Sequence, residues 1–300
     1  MKLYNKTKTN ISLLKELPFK LEKEMQTLFE NNLKTIADLD LVKSEFTIKN
    51  KRIDTLAFDK QSKAFIIIEY KRSKNNSVID QGFTYLNLML ENKADFIIEY
   101  NESSKAALQR KDVDWSQTRV IFVSPSFTEN QKLATNFKDI AIELYEVKQY
   151  EGGLIAINPV KKSASATSIQ PLTEKDEAIR NVSKEIKVYT EEDHLANKSE
   201  AIKELYETYK DAILNLSDNI EIQVRKDYIA FKKNSNIVDI TIQRKGLKMW
   251  INLKKGNLDD PKKITRDVSE TGHWGNGDYE LLITDTDNLE YIMSLVKQAI

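Results

Sequence analysis

Arg52-Ile53-Asp54-Thr55-Leu56-Ala57-Phe58-Asp59 and, after a short polar turn, Ala64-Phe65-Ile66-Ile67-Ile68-Glu69-Tyr70-Lys71 decide how the first half of this 300-residue chain is read. Both stretches predict strands, joined as a hairpin. Four consecutive large apolar residues, Phe65 to Ile68, predict a strand buried on both faces. That strand then ends abruptly in charge. Side chains alternate across a strand, so Glu69 and Lys71 share one face while Tyr70 points to the other. Asp54, near the start of the partner strand, is within reach of the same spot. Charges at the end of a central strand are unfavourable unless paired or metal-bound. A Glu-x-Lys pair also arises as a same-face ion pair at a solvated sheet edge, so the pattern alone leaves both readings open.

The functional reading is a site for a divalent cation and a phosphate. Mg²⁺ takes oxygen ligands, keeps several waters and uses one or two carboxylates plus substrate phosphate. Asp54 and Glu69 would supply the carboxylates and the backbone carbonyl of Tyr70 a further oxygen. Lys71 would hold the attacking water or neutralise charge on the phosphoryl group. Two helices flank the hairpin. Leu21, Met25, Leu28, Phe29 and Leu33 recur at a helical period, with Glu30 beside that stripe, as a surface residue or as part of the site. Ser77 to Leu90 predicts a second helix, on which Gln81 and Tyr85 are four residues apart and share a face.

Taken in order, Glu30, Asp54, Glu69-Tyr70-Lys71 and Gln81-Gly82-Phe83-Thr84-Tyr85 resemble the motif series of the PD-(D/E)XK nuclease superfamily, in its RecB-like branch. The resemblance covers residues 15–105 and continues more weakly to about 160. It departs from the pattern at Ile53, where the family often has proline. It implies a restriction-endonuclease-like mixed β-sheet flanked by helices, dependence on Mg²⁺ or Mn²⁺, and hydrolysis of nucleic acid phosphodiester bonds. Carried over residue by residue, Asp54 and Glu69 become metal ligands and Lys71 the catalytic lysine. Glu30 becomes an auxiliary metal or water ligand, and Gln81 and Tyr85 support the site. Arg52, Arg72, Lys74 and Tyr85 are the candidate nucleic-acid contacts, Arg72 and Lys74 forming a basic cluster with Lys71.

Composition bounds the alternatives. Basic and acidic residues number 46 each, and residues 1–160 hold 24 basic and 22 acidic ones. Neither half has the basic excess of many nucleic-acid binders, so affinity would have to come from local clustering. The same neutrality motivates an alternative, a non-catalytic nucleic-acid- or protein-binding module that keeps a nuclease fold. With no cysteine there are no disulfides and no thiolate chemistry. Met1 to Asn10 is polar and unlike a signal peptide, and no apolar run reaches bilayer length. The expectation is a cytoplasmic enzyme with no membrane contact, acting on DNA ahead of RNA, with a homodimer allowed because many nucleases pair to cut both strands.

Beyond the hairpin, Ala94–Tyr100, Arg119–Ser124, Ile140–Val147 and Gly153–Ile157 predict strands, and Asn130–Phe137 a short helix. The nuclease-like domain is placed at residues 1–160. A small, polar stretch centred on residues 163–168 sets a linker over 161–189, within which the charged Thr173 to Tyr189 reads as a strap or a short helix. Residues 190–300 form an α+β accessory domain: a helix from Thr190 to Leu216, an antiparallel meander from Ile220 to Leu253 with a fifth strand at Leu281–Thr284, and a closing helix. Tyr228-Ile229-Ala230, Trp250, Asp259-Asp260-Pro261 and Gly272-His273-Trp274-Gly275-Asn276-Gly277-Asp278 resemble a domain of unsettled role often found behind such nucleases. His273 and Trp274 either stack on a base or serve a structured turn. His194 and His273 are too far apart for a zinc motif.

Overall fold

The computed structural model describes residues 2–72, 77–163, 165–169, 177–233, 235–272 and 275–300. The chain divides into two compact units, Met1–Val188 and Tyr189–Ile300. Lys74, His273 and Trp274 lie outside the described residues.

The first unit opens with a two-stranded hairpin, β1 (Tyr4–Thr7) and β2 (Asn10–Leu13), then β3 (Glu16–Leu17) and helices α1 (Glu22–Glu30) and α2 (Leu33–Ala37). An antiparallel meander follows: β4 (Asp40–Ile48), β5 (Lys51–Asp59) and β6 (Ala64–Tyr70). Helices α3 (Val78–Glu91) and α4 (Lys93–Ser104) lead to β7 (Arg119–Ser124), α5 (Glu129–Ala134), β8 (Ile142–Tyr150), β9 (Leu154–Pro159) and α6 (Glu177–Glu185). The sheet runs β3-β8-β7-β6-β5-β4 with β9 on β8, and β6, β7 and β8 are parallel. It is the expected mixed sheet flanked by helices.

Every residue of β6 is buried. Phe65 and Ile67 join a core with Phe83, Leu86 and Met89 of α3 and Phe96 of α4. Ile66, Ile68 and Tyr70 join Met25 and Phe29 of α1 on the other face. Each large apolar side chain sealed this way contributes about 1.5–3 kcal/mol, which explains the unbroken apolar run. The β5–β6 turn is set by Asp59, whose Oδ1 accepts the amides of Gln61 (2.9 Å) and Ser62 (3.2 Å). Its Oδ2 accepts from Arg119 at 3.2 Å, and Arg119 Nε lies 3.0 Å from Glu143.

Three expectations change. Ala94–Tyr100 is helical within α4, because a helical turn sets Phe96 and Tyr100 together on the core and leaves Ile98 outside, 54 % exposed. The stretch 161–189, expected as a linker, adds Ile169, Val182 and Ile186 in its described part to the core of the first unit. The helix expected over Thr190–Leu216 is two helices, α7 (Glu191–Leu195) and α8 (Glu200–Leu214). Asn197, with φ of 60°, breaks the run between them.

In the second unit β10 (Glu221–Val224), β11 (Ile229–Lys232), β12 (Asn236–Ile242), β13 (Leu247–Ile251), β14 (Arg266–Asp267) and β15 (Tyr279–Ile283) form an antiparallel sheet ordered β10-β11-β12-β13-β15-β14. Apolar residues of α8 and α9 (Leu289–Val296) close its core. Asp239 is wholly buried and accepts from Asn236 Nδ2 (3.1 Å) and from both the amide and Nδ2 of Asn276 (2.8 Å each). Burial pushes its carboxyl up to about 6. The segment after Asn276 lies against β13: a Cβ on Gly277 would sit 1.8 Å from the Ile251 carbonyl oxygen, so only glycine fits.

Gly82 similarly brings α3 onto the sheet, since its Cβ would meet Ile142 Cδ1 at 2.4 Å and Cγ1 at 2.9 Å. Gly82→Val is therefore expected to lower the unfolding free energy by about 1–3 kcal/mol, with part recovered in Gly82→Val/Ile142→Ala. Urea titration measures both, and an unchanged midpoint in the single variant would contradict the close approach.

Candidate active site

β5 and β6 pair from Asp59↔Ala64 to Thr55↔Ile68, and one further step in that register sets Asp54 opposite Glu69. At this step carboxylates replace the ladder carbonyls. The amide of Asp54 donates to Glu69 Oε1 at 3.2 Å, and the amide of Tyr70 donates to Asp54 Oδ2 at 3.1 Å. Each strand's acid thus caps the other strand's backbone, which fixes both side chains at one place. Lys71 carries the β6–β7 pairing one residue further, its amide donating to the Val123 carbonyl at 2.8 Å. Its Nζ reaches back to Glu69 Oε2 at 3.3 Å.

Helix α3 completes this cluster. Ser77 caps it by accepting the Asp80 amide (3.3 Å), and the helical period places Gln81 and Tyr85 on the face toward Glu69. Gln81 Nε2 donates to Glu69 Oε2 (3.2 Å) and to the Tyr85 hydroxyl (3.1 Å), and that hydroxyl donates to the Arg52 carbonyl at 3.4 Å. Lys51, Lys71, Ser77, Asp80, Gln81, Thr84 and Tyr85 line a cleft of about 450 Å³. The structure therefore brings together Asp54, Glu69, Lys71, Gln81 and Tyr85.

The electrostatics are unbalanced. Glu69 is 2 % exposed. Burial, then the neighbouring Asp54, push its carboxyl up to about 7 against the opposing pull of Lys71. Burial also raises Asp54 above the ordinary carboxylate range, opposed by the Tyr70 amide and Lys71. The Tyr70 and Tyr85 hydroxyls are raised as well, chiefly by burial. One ammonium stands against two carboxylates, one buried and one half-buried.

Other expected residues stand elsewhere. Glu30 accepts from Thr55 Oγ1 (2.6 Å) and Gln26 Nε2 (2.9 Å), which ties α1 to β5. Among the described residues no three His, Asp or Glu side chains form a group able to hold a metal ion, so Glu30 does not join Asp54 and Glu69 in one. The Tyr70 side chain is buried toward α1, its hydroxyl 3.3 Å from Thr55 Oγ1, so only its backbone is available to a ligand on the Glu69 side. Arg52 is paired with Glu45 at 3.0 Å. Arg72 holds the N-terminal segment: its amide donates to Glu22 Oε1 at 2.7 Å and its guanidinium to the Lys20 carbonyl. Sequence reasoning missed Lys51, which lines the cleft. It also missed Gln26, which is buried and donates to Glu30, Ser44 Oγ (3.1 Å) and the Asp54 carbonyl (2.7 Å). A glutamine inside an apolar helix stripe was the available signal for Gln26; nothing in the sequence singles out Lys51.

Comparison with known proteins gives a family. The chain is 58 % identical, over 300 residues, to an uncharacterized protein of Haemophilus influenzae; the match covers 100 % of this chain and 99 % of that one. The chain belongs to that protein's family. Residues 191–300 match a domain of unknown function, DUF5655. Among solved structures, the EndoMS–double-stranded DNA complex is similar at 17 % identity over 43 % of this chain and 58 % of that one, with a TM-score of 0.27. A repair endonuclease from Pyrococcus abyssi is similar at 19 % identity over 44 % and 59 %, with a TM-score of 0.22. The chain thus spans under two thirds of either structure. No helix among the described residues is long and apolar enough to cross a membrane.

Raised carboxyl pKa values carry a sign. Between the ordinary glutamate range near 4.5 and about 7, the folded protein binds a proton at Glu69 that the unfolded chain has lost, so stability falls as pH rises through that window. In chelator, Glu69→Gln is expected to melt above the wild type at pH 8, with the advantage shrinking toward pH 5. Melting curves across this range check it; a pH-independent difference would contradict the burial of an uncompensated acid.

Proposed function

We propose that the first unit is a divalent-metal-dependent nuclease of the PD-(D/E)XK superfamily, RecB-like branch, which hydrolyses phosphodiester bonds of nucleic acid, DNA ahead of RNA, in the cytoplasm. The observation that carries this reading is the convergence of Asp54 and Glu69, each capping the other's strand, beside Lys71 and a cleft. The donor set fits a hard cation: two carboxylates, with no third acidic or imidazole ligand among the described residues, suit an ion that keeps waters and takes oxygen from its substrate, the habit of Mg²⁺. Asp54, Glu69 and the Tyr70 carbonyl would hold Mg²⁺ or Mn²⁺, which supplies Lewis-acid polarisation of a phosphoryl oxygen and a bound water of lowered pKa.

The chain's own groups have distinct tasks in this reading. Lys71 meets the charge that grows on the non-bridging phosphoryl oxygens, or orients the attacking water. Gln81, donating to Glu69 Oε2, keeps that carboxylate turned toward Asp54. Tyr85 fixes Gln81 and ties α3 to β5 through the Arg52 carbonyl. Lys51 and Lys71 give the cleft two cations for a phosphate backbone. A homodimer would present two such sites to the two strands of a duplex.

Purified protein incubated with single- and double-stranded DNA and RNA in Mg²⁺ or Mn²⁺ is expected to cut at least one of them. Asp54→Ala and Lys71→Ala are expected to lose at least 100-fold in rate, on the order of 3 kcal/mol of barrier. Mn²⁺ is expected to raise the melting temperature of the wild type at pH 8 more than at pH 6, and not that of Asp54→Asn. Binding of nucleic acid without cleavage in any metal, unchanged in Asp54→Ala, would replace the enzyme by a binding module.

A further inference from the structure

Among the described residues the β1–β2 hairpin is a two-stranded sheet of its own, paired with no other strand. Its eight strand residues are all exposed. A two-stranded ribbon on its own is marginal in water. The register Tyr4↔Leu13, Asn5↔Ser12, Lys6↔Ile11, Thr7↔Asn10 sorts it into two faces. Asn5, Thr7, Asn10 and Ser12 make one face of amides and hydroxyls. Tyr4, Lys6, Ile11 and Leu13 make the other, with Tyr4 50 %, Ile11 66 % and Leu13 59 % exposed.

Charge says what covers it. Residues 2–20 hold five lysines against one glutamate, in a chain of zero net charge. That glutamate, Glu16, is already paired with Lys148 at 2.9 Å. Among the described residues Lys2, Lys6, Lys8, Lys15 and Lys20 enter no ion pair, and all are exposed. Lys8 sits at the hairpin tip with φ of 45°, where asparagine or glycine is the unstrained choice. A lysine there presents an ammonium at the tip.

Topology says where the ribbon stands. Glu69 and Lys71 lie at the C-terminal end of β6, and β7 and β8 run parallel to β6. β3 pairs with the C-terminal end of β8, at Tyr150 and Gln149, and the Leu14 amide donates to the Leu3 carbonyl (2.9 Å) at the hairpin's base. The chain between β3 and α1 is fastened to Arg72, the residue after Lys71. The ribbon is thus anchored at the same end of the sheet as the carboxylates.

We propose that the β1–β2 hairpin is a nucleic-acid-binding arm: Lys6 and Lys8 contact the phosphates of a duplex held at the proposed site, and the ribbon lies along a groove. A two-stranded ribbon fits the major groove of B-DNA, about 12 Å wide. The inference rests on the nucleic-acid reading of the first unit, and adds that affinity is concentrated in an element remote from the cleft residues.

Anisotropy titrations of a labelled 20-base-pair DNA duplex with the full chain in chelator test it, over a range of salt. Lys6→Gln/Lys8→Asn is expected to weaken binding about 10-fold or more and to reduce the slope of log K against log salt by about 2, one unit for each phosphate no longer neutralised. Asparagine keeps or improves the turn, so the loss reads charge rather than fold. Lys6→Arg/Lys8→Arg is expected to bind like the wild type. Wild-type affinity in the Gln/Asn variant, while the wild type binds the duplex, overturns the arm and leaves the nuclease reading standing. Absence of duplex binding by the wild type, or a preference for phosphatidylserine vesicles over DNA, overturns the arm; the nucleic-acid reading falls separately, when the cleavage assay finds no single- or double-stranded DNA or RNA cut in either metal.

Discussion

The structure turns on an exchange of hydrogen bonds where β5 and β6 part. Asp54 and Glu69 each accept the backbone amide at or beside the other acid's position, so neither carboxylate can leave without orphaning a main-chain donor. An unsatisfied buried amide costs on the order of 1–3 kcal/mol. The acids are therefore held in place by the same interaction that ends the ladder. Everything around them serves this arrangement: β6 is sealed between α1 and α3, Gly82 lets α3 approach, and α3 delivers Gln81 to the remaining oxygen of Glu69.

Two buried carboxylates in the chain show what distinguishes a site from a brace. Asp239 of the second unit is met by amide donors of Asn236 and Asn276, with Arg225 and Lys232 adding favourable charge. It anchors the segment that ends at Gly277. Glu69 is also buried, yet it faces a second acid, and its donors Lys71 and Gln81 line a cleft. Glu30 belongs to the first kind. Its bonds to Thr55 and Gln26 dock α1 on the sheet, and Gln26 reaches the Asp54 carbonyl, so α1 steadies the site from behind.

Much of this was legible in the sequence for identifiable reasons. A strand buried on both faces writes itself as Phe65 to Ile68, and the abrupt charge at Glu69 and Lys71 marks where burial stops. Gln81 and Tyr85 share a face by helical period alone. Ala94–Tyr100 misled because its dense apolar residues satisfy both periods, and only the packing of Phe96 and Tyr100 on Phe65 and Phe58 chooses the helix. Residues 177–188 read as a strap or a short helix, and the helix is there, but its place in the core was hidden because Val182 and Ile186 are spaced among charges and their core partners are distant in sequence. Lys51 and the β1–β2 ribbon were invisible for a similar reason, since a lysine or a polar alternation acquires meaning from what the fold sets beside it.

The central claim is that Asp54 and Glu69 together capture one hard divalent ion. Anomalous diffraction from crystals of the full chain soaked in Mn²⁺ tests it most directly. The account predicts a single strong peak within coordinating distance of a carboxylate oxygen from each residue, lost in Asp54→Asn. A peak bound to only one of them, or none at saturating Mn²⁺, would contradict it.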